Sequence, residues 1–465
     1  MSNELCRLGI EETLALFRTR ELSPVELVHA LIARAEESEP QINAFAEQYH
    51  EEALATARLA EKRYQRSDGE LRPLEGIPFS VKVSMAVQGR PMTSGSLVYQ
   101  HRISDVTEPT VQRLLDAGGI FHAQAACPEF AWAWVCYSRL YGVTRNPWNP
   151  EVTAGGSCGG GAASVAIGST PFSIGADSAG SIRMPSAMCG VVGFKPPSGR
   201  NPEGITFCED LYNDYGPITR SVRDCVAVQN VMSGPHPQDN NSLKPKLQLG
   251  WPPEDVSGMR LAYSLDLGFM QIADDVRRNT LAAMDKLRDA GASVEEVSID
   301  WAREACQAAD WYGDFIAGDM FADMLENHAD ELTDYTPYFA NDCLEVTREQ
   351  FLESFFATSR AWSKFADILE NHDAFLCPTV ATTQVPAEMK PWEDMVINDQ
   401  VVERWVLTLL FSMFRTCPVM TVPSGLAQNG VPTGLQIIGQ TFDDPTVIRI
   451  GAAVEGGTGS LRLER

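Results

Sequence analysis

Ala154-Gly155-Gly156-Ser157-Cys158-Gly159-Gly160-Gly161 and Asp177-Ser178-Ala179-Gly180-Ser181-Ile182-Arg183-Met184-Pro185 are two small-residue loops, and a helical pattern (Ala162–Gly168) and a short apolar run (Phe172–Ile174) lie between them. Loop, helix, strand and loop in that order read as one unit of an α/β chain. Each loop carries a serine, Ser157 in the first and Ser181 in the second. Five glycines among the seven residues 155–161 permit backbone conformations that side chains disfavour, and they let the chain pass close to a ligand. A phosphate-cradling loop is excluded, because no Gly-Lys-Ser/Thr follows the glycines. In the second loop, successive backbone N–H groups can converge on a developing oxyanion, which leaves Ser181 as the nucleophile.

A third element lies upstream. Gly76-Ile77-Pro78-Phe79-Ser80-Val81-Lys82 reads as a buried strand that ends in a lysine. Taking an ammonium out of water disfavours its charged form, and a neutral amine is what a lysine general base needs near neutrality. A single lysine at a strand end ordinarily keeps its amine in water; the company of two serine loops reverses that reading. Two hydroxyls and one sequestered amine supply a nucleophile, a relay and a base without histidine or metal, which is the chemistry of acyl transfer.

The alternation continues on both sides of this unit. Apolar runs at Ile77–Val83, Met259–Tyr263, Ala374–Cys377, Val419–Val422 and Leu435–Ile438 predict strands. Patterns at Thr107–Ala117, Ser221–Met232, Ala273–Ala290, Arg348–Asn371 and Asp444–Glu455 predict helices. The fold expected is α/β, with a mixed sheet covered by helices on both faces. Residues 1–66 read as a helical segment. In it, Ser23-Pro24-Val25-Glu26 forms a capping box, with Leu22 and Leu27 placed as a hydrophobic staple. The helix it starts is expected to stop at Glu39-Pro40, and a second one, Glu51–Gln65, to end in a turn at Ser67-Asp68-Gly69. No repeat or linker divides the chain. One domain is expected over 1–465, with a catalytic core at 76–232 and the rest of the sheet and the substrate-pocket region at 233–465.

A net charge of −25 over 465 residues argues against a phosphate-tracking surface, so neither nucleic acid nor membrane is expected as a partner. The eleven cysteines are irregularly spaced and lack any Cys-x-x-Cys pair, which favours reduced, buried thiols over disulfides or zinc. The seven histidines form no metal-ligand pattern, and neither a metal nor another cofactor is expected. The first residues lack a signal-peptide pattern and the apolar runs are too short to span a bilayer, so a cytoplasmic location is expected.

Together the two serine loops and the lysine strand resemble the amidase signature family, serine hydrolases with a Ser–cis-Ser–Lys triad. Lys82 follows Gly76-Ile77-Pro78, and Ser181 lies twenty-four positions after Ser157, as in the family pattern. The resemblance extends over nearly the whole chain. It includes Gly142–Pro150, Cys189–Pro196, Gly216–Val222, Cys377–Thr379, Val422–Gly425 and Gly434–Gly439. It implies that Ser181 attacks the carbonyl to form an acyl-enzyme, with Ser157 passing the proton between Ser181 and Lys82 across a cis peptide bond before Ser157. It also implies oxyanion donors at the N–H groups of Ser178, Ala179, Gly180 and Ser181. Arg183 is expected to hold this loop or, second, to meet a substrate carboxylate. Three positions depart from the family: Val83-Ser84 replaces Asp-Asn after the lysine, Cys158 replaces a serine, and Ala179 replaces a glycine. None removes a triad member, although Ala179 is harmless only if its φ is negative.

Aromatic runs supply pocket candidates. Phe130, Trp132, Trp134 and Tyr137 precede the first serine loop, and Trp311 opens a second run with Tyr312 and Phe315. Such runs ordinarily pack a core; any that line the pocket favour a hydrophobic or aryl amide. The activity implied by the resemblance is metal-independent hydrolysis of a small-molecule carboxylic amide. Two alternatives stay open: the glutaminase-type subunit of a tRNA-dependent amidotransferase, and a non-catalytic binding protein on the same fold. The family includes monomers and homodimers, and the sequence does not choose between them.

Overall fold

Every side chain of strand Ala374–Pro378 is buried, yet the strand feeds two different cores. Phe375 and Cys377 point into one apolar cluster, Ala374 and Leu376 into another. This is the alternation of a strand covered on both faces. On one face the cluster is filled by Met184 and Met188 of helix Arg183–Cys189, Ala305 and Ala309 of helix Ala302–Asn327, and Phe365 and Leu369 of helix Arg348–Asn371. On the other, helices Val222–Met232, Asp274–Asp289 and Asp444–Thr458 contribute Val222, Met284 and Val447.

The computed structural model describes residues 2–66, 70–204, 210–251, 255–458, 461 and 463. Among them, eleven strands form one mixed sheet. In spatial order these are Phe45–Gln48, Ile120–Ala125, Pro78–Lys82, Phe172–Asp177, Asp214–Thr219, Val192–Lys195, Val419–Leu426, Pro432–Gly439, Ala374–Pro378, Arg260–Tyr263 and Ser293–Glu296. Pro78–Lys82 runs parallel to both its neighbours, as does Arg260–Tyr263 at the far side, while antiparallel pairings fill the centre. The parallel pairing of Pro78–Lys82 with Phe172–Asp177 matters most, because it brings the carboxyl ends of the lysine strand and the Ser181 loop to the same edge. Among the described residues, no helix is long and apolar enough to cross a membrane. The ten described cysteines are unpaired and buried, and Cys208 lies outside the described residues.

The capping box at Ser23 forms as expected: Ser23 Oγ accepts from the Glu26 N–H at 3.1 Å and the Glu26 carboxylate accepts from the Ser23 N–H at 2.8 Å. The stop at Pro40 does not occur. Helix Pro24–Ile42 runs through Pro40 and ends on Asn43, whose φ is 54°. A proline so near the carboxyl end forfeits a single helical hydrogen bond. The Glu39 carboxylate then receives the N–H groups of Ala44 and Phe45, both at 3.1 Å, and turns the chain into the sheet. Residues 1–66 are therefore not wholly helical: Phe45–Gln48 is the edge strand, paired antiparallel with Ile120–Ala125. The turn expected at Ser67-Asp68-Gly69 lies outside the described residues.

Five strands of the sheet escape the apolar-run criterion: the two edge strands, Phe45–Gln48 and Ser293–Glu296, and three within it, Ile120–Ala125, Val192–Lys195 and Asp214–Thr219. Each of the inner three buries polar side chains. His122 meets Thr170 Oγ1 at 2.8 Å, and burial depresses its imidazole to about 3, so it is a neutral core residue. Helix Ala302–Asn327 also escapes, because buried residues lie on several of its faces.

Candidate active site

Lys82 ends a fully buried strand and is itself 2 % exposed. Ser157 is 1 % exposed and precedes helix Gly159–Ile167. Lys82 Nζ donates to Ser157 Oγ at 2.7 Å, and Ser157 Oγ donates to Ser181 Oγ at 2.8 Å. The three expected residues thus form one line of hydrogen bonds from a buried amine to a half-buried hydroxyl. The Gly156–Ser157 peptide bond is cis. The two serine loops are tied together directly, since the Cys158 N–H donates to the Ser181 carbonyl at 3.1 Å. Gly156 has no alternative here: a Cβ on it would run into the carbonyl oxygen of Ala133 and the backbone of Trp134 and Val135.

Asp177 shapes the second loop, a role not evident from the sequence. Its Oδ1 accepts from the Gly180 N–H at 2.7 Å and from Arg183 Nη2 at 2.8 Å. Its Oδ2 accepts from the N–H groups of Ile182 and Arg183, at 3.1 and 3.2 Å, and from Arg183 Nε at 3.0 Å. Burial alone would raise this carboxyl. The Arg183 guanidinium, helped by these hydrogen bonds, overrides it and holds the group at about 2. Five hydrogen bonds on one carboxylate therefore fix residues 177–183 as a unit.

This network bears on two expectations. The Gly180 N–H, one of the four expected oxyanion donors, is bonded to Asp177 Oδ1. Among the described residues, the N–H groups of Ser178, Ala179 and Ser181 take no such partner, and all three residues are half-buried. Arg183 is fully buried and spends all five of its N–H groups inside the protein, so it has nothing left for a substrate carboxylate. Besides Asp177, it donates to the Thr408 carbonyl at 2.9 Å, Gln436 Oε1 at 2.6 Å and Ser412 Oγ at 2.8 Å. Its position is that of a loop anchor.

Thr408 supports the loop from outside, its Oγ1 donating to the Ala179 carbonyl at 2.6 Å. Gly180 carries a φ of 119°, and a Cβ there would also collide with Thr408. Ala179 has no positive φ, which explains how it replaces a glycine without strain. Cys158 is 2 % exposed, with its thiol donating to the Ala176 carbonyl at 3.4 Å, and burial pushes that thiol up. It is aimed into the sheet rather than toward Ser181.

The aromatic candidates separate into two groups. Phe130 packs edge-on against Phe321 and Tyr99 in an apolar cluster with Ala317 and Met324. Tyr137 is buried edge-on against Tyr335, and its hydroxyl is held by Asp334 and Lys390. Both are packing residues. Trp132 is half-buried, edge-on to Phe321, and Trp134 is half-buried, edge-on to Trp405, with its backbone against Gly156. Trp311 is half-buried on helix Ala302–Asn327. The ring beside it, Tyr312, reaches toward the site: its hydroxyl accepts from the Leu211 N–H at 2.9 Å and its ring centroid lies 4.1 Å from that of Tyr212. Tyr212, Asp210 and Asn213 carry no sequence signal that singles them out. Asp210 and Asn213 stand against Ser178, whose Oγ donates to Asn213 Oδ1 at 3.0 Å and Asp210 Oδ2 at 3.3 Å.

The chain has full-length relatives among known proteins. A family model described as Amidase matches residues 26–448. The acylamidase of Rhodococcus erythropolis is 32 % identical over 461 residues, covering 96 % of this chain and 95 % of that one. A glutamyl-tRNA(Gln) amidotransferase subunit of Chloroflexus aggregans is 29 % identical over 489 residues, covering 97 % and 96 %. A solved bacterial aryl acylamidase of the amidase signature family superposes with a TM-score of 0.87 at 25 % identity, covering 97 % and 96 %.

Proposed function

This chain belongs to the amidase family and is an amide-hydrolysing enzyme, and from that premise we propose that it cleaves a small carboxylic amide through an acyl-serine intermediate. The observation that carries the reading is the unbroken line Lys82 Nζ, Ser157 Oγ, Ser181 Oγ, with links of 2.7 and 2.8 Å. With the amine neutral, the donors reverse: the Ser181 hydroxyl donates to Ser157 and the Ser157 hydroxyl to Lys82. Ser181 Oγ attacks the carbonyl carbon while its proton passes to Ser157, whose own proton moves to Lys82. The charge that develops on the carbonyl oxygen faces the N–H groups of Ser178, Ala179 and Ser181. Collapse breaks the C–N bond, and the proton held by Lys82 returns through Ser157 to the leaving amine. Water then attacks the ester along the same path, releasing the acid and restoring Ser181.

An apolar or aryl amide is the substrate class this site supports. Half-buried Trp134 lies beside the first serine loop, the buried rings of Tyr212 and Tyr312 pack behind Ser178, and one solved neighbour is an aryl acylamidase. Arg183, the one arginine in the second loop, has no donor left for an anionic substrate group. A glutaminase role has one observation in its favour, the full-length likeness to a glutamyl-tRNA(Gln) amidotransferase subunit. Turnover of aryl amides by the isolated chain favours the first reading; glutamine hydrolysis that requires added partner subunits favours the second.

The mechanism is tested by treating the purified chain with a small alkyl fluorophosphonate and mapping the adduct by peptide mass spectrometry. The expected adduct is on Ser181, absent in Ser181→Ala and strongly slowed in Lys82→Ala near neutral pH. Undiminished amide turnover by Ser181→Ala overturns the assignment of the nucleophile. An unchanged pH–rate profile in Lys82→Ala removes the lysine from the base role.

A further inference from the structure

The side chain of Ser178 sits in a hydrogen-bond network that the acyl-transfer chemistry does not itself require. Ser178 Oγ has one proton and two acceptors, Asn213 Oδ1 at 3.0 Å and Asp210 Oδ2 at 3.3 Å. The orientation of Asn213 is fixed from behind, because its Nδ2 donates to Glu203 Oε2 at 2.9 Å. The other oxygen of Asp210 accepts from the Tyr212 N–H at 3.1 Å and from the Tyr312 hydroxyl at 3.3 Å. That hydroxyl in turn accepts from the Leu211 N–H at 2.9 Å. A continuous path of hydrogen bonds therefore runs from helix Ala302–Asn327, through Tyr312 and Asp210, to the residue whose backbone N–H opens the oxyanion loop.

Tyr312 is itself immobilised by its ring. It lies 4.1 Å from Tyr212, stacks on Phe351 at 6.1 Å, and Phe351 stacks on Phe315 at 4.3 Å. The row begins at the loop beside Ser178 and ends at the half-exposed Phe315. A ring packed against Tyr212, Phe351 and Phe355 presents its hydroxyl at a fixed point, as a residue that orients a neighbour must.

We propose that Asp210 and Tyr312 are positioning residues that aim the Ser178 backbone N–H at the reacting carbonyl oxygen, so that helix Ala302–Asn327 sets the reactivity of Ser181. This rests on the reading of Ser181 as nucleophile and of its loop as the oxyanion site. Neither side chain touches the reacting atoms. Their effect passes through Ser178 alone, and this separates positioning from a general contribution to folding.

The test measures the second-order rate of Ser181 phosphonylation by a small alkyl fluorophosphonate, which needs no identified substrate. Tyr312→Phe keeps the ring row and removes the hydroxyl. Removing an oxyanion donor outright costs about a hundredfold or more, and misaiming one costs less, so a drop of about tenfold is expected. Ser178→Ala, which keeps the backbone N–H, is expected to fall by a similar factor. The double variant is expected to be no slower than Ser178→Ala, because both changes cut the same path. Asp210→Asn, which retains an oxygen acceptor and gains a donor for Ser178, is expected to keep most of the rate that Asp210→Ala loses. A parental rate in Tyr312→Phe, or losses that multiply in the double variant, overturns the proposal. A parent chain that is not phosphonylated at Ser181 overturns the nucleophile reading, and this proposal with it, before any variant is made.

Discussion

Replacing Asp177 by asparagine keeps the shape of the side chain and removes its charge, which makes it the sharpest probe of how the Ser181 loop is held. The carboxylate receives five hydrogen bonds, two on Oδ1 and three on Oδ2, so whichever oxygen becomes an amide nitrogen forfeits at least two of them. It also leaves Arg183 unpaired by any acid, although both side chains are 0 % exposed. Stranding one partner of a buried ion pair costs about 3–5 kcal/mol. Protonating Asp177 is a milder change, because the neutral acid can still accept from the loop. The carboxyl sits at about 2 against an ordinary value of 3.8, which corresponds to about 2 kcal/mol. Since the folded value is the lower one, this stability is present above pH 4 and is lost as pH falls through 2. Urea unfolding at pH 7 is expected to show Asp177→Asn destabilised by more than acidification alone removes from the parent. Labelling of Ser181 in the folded variant is expected to fall about a hundredfold, the scale of a lost oxyanion donor. A variant that unfolds at the parental urea concentration and labels at the parental rate would refute the claim that Asp177 and Arg183 build the loop.

Two further outcomes test the packing around the site. Asp314 is pushed up to about 7 by burial and by Asp310 one turn away, so the folded state disfavours its ionised form, and stability declines as pH rises from 3.8 through 7. Asp314→Asn should therefore stabilise the protein at pH 8 by about 2 kcal/mol, after allowance for its partial exposure, and leave it unchanged at pH 4; an equal effect at both pH values, measured by urea unfolding, refutes the titration. Phe365 is fully buried among Trp301, Trp362, Phe375, Phe411 and Phe414, so Phe365→Ala should cost about 3–5 kcal/mol in thermal or urea unfolding. A loss below about 1 kcal/mol would mean that this aromatic cluster is not close-packed.

How much of the fold shows in the chain depends on where each element hides its polar groups. Runs such as Val419–Val422 and Leu435–Ile438 announce buried strands, because apolar residues dominate them and each holds a single polar side chain, Thr421 or Gln436; the strands observed, Val419–Leu426 and Pro432–Gly439, extend those runs. Ile120–Ala125 lies just as deep, but it carries His122 and Gln124, whose partners Thr170 and Pro91 are distant in sequence. Periodicity sees two polar residues and stops; the fold sees two satisfied ones. Pro40 shows the converse error, since a breaker is tolerated where the helix is about to end and Glu39 collects the next two N–H groups.

The site divides along the same physical line. Lys82, Ser157 and Ser181 are legible because acyl transfer without histidine demands those residue types, and the loops that carry them are built from small residues that leave few alternatives. The groups that aim them are not legible. Asp177 is visible in the sequence, but its role depends on Gly180, Ile182 and Arg183 folding back around it, and Arg183 depends on Thr408, Ser412 and Gln436, more than two hundred residues away. Asp210 and Tyr312 are about a hundred residues apart and meet only in the folded chain. Chemistry constrains the identity of the reacting atoms, and those can be read in one dimension. Orientation is a property of partners brought together by the fold, so the residues that set reactivity and selectivity are the ones a linear reading passes over. Arg183 makes the point: the sequence places it first as a loop anchor, but the five acceptor atoms that occupy its donors come from three segments and meet only in the folded chain.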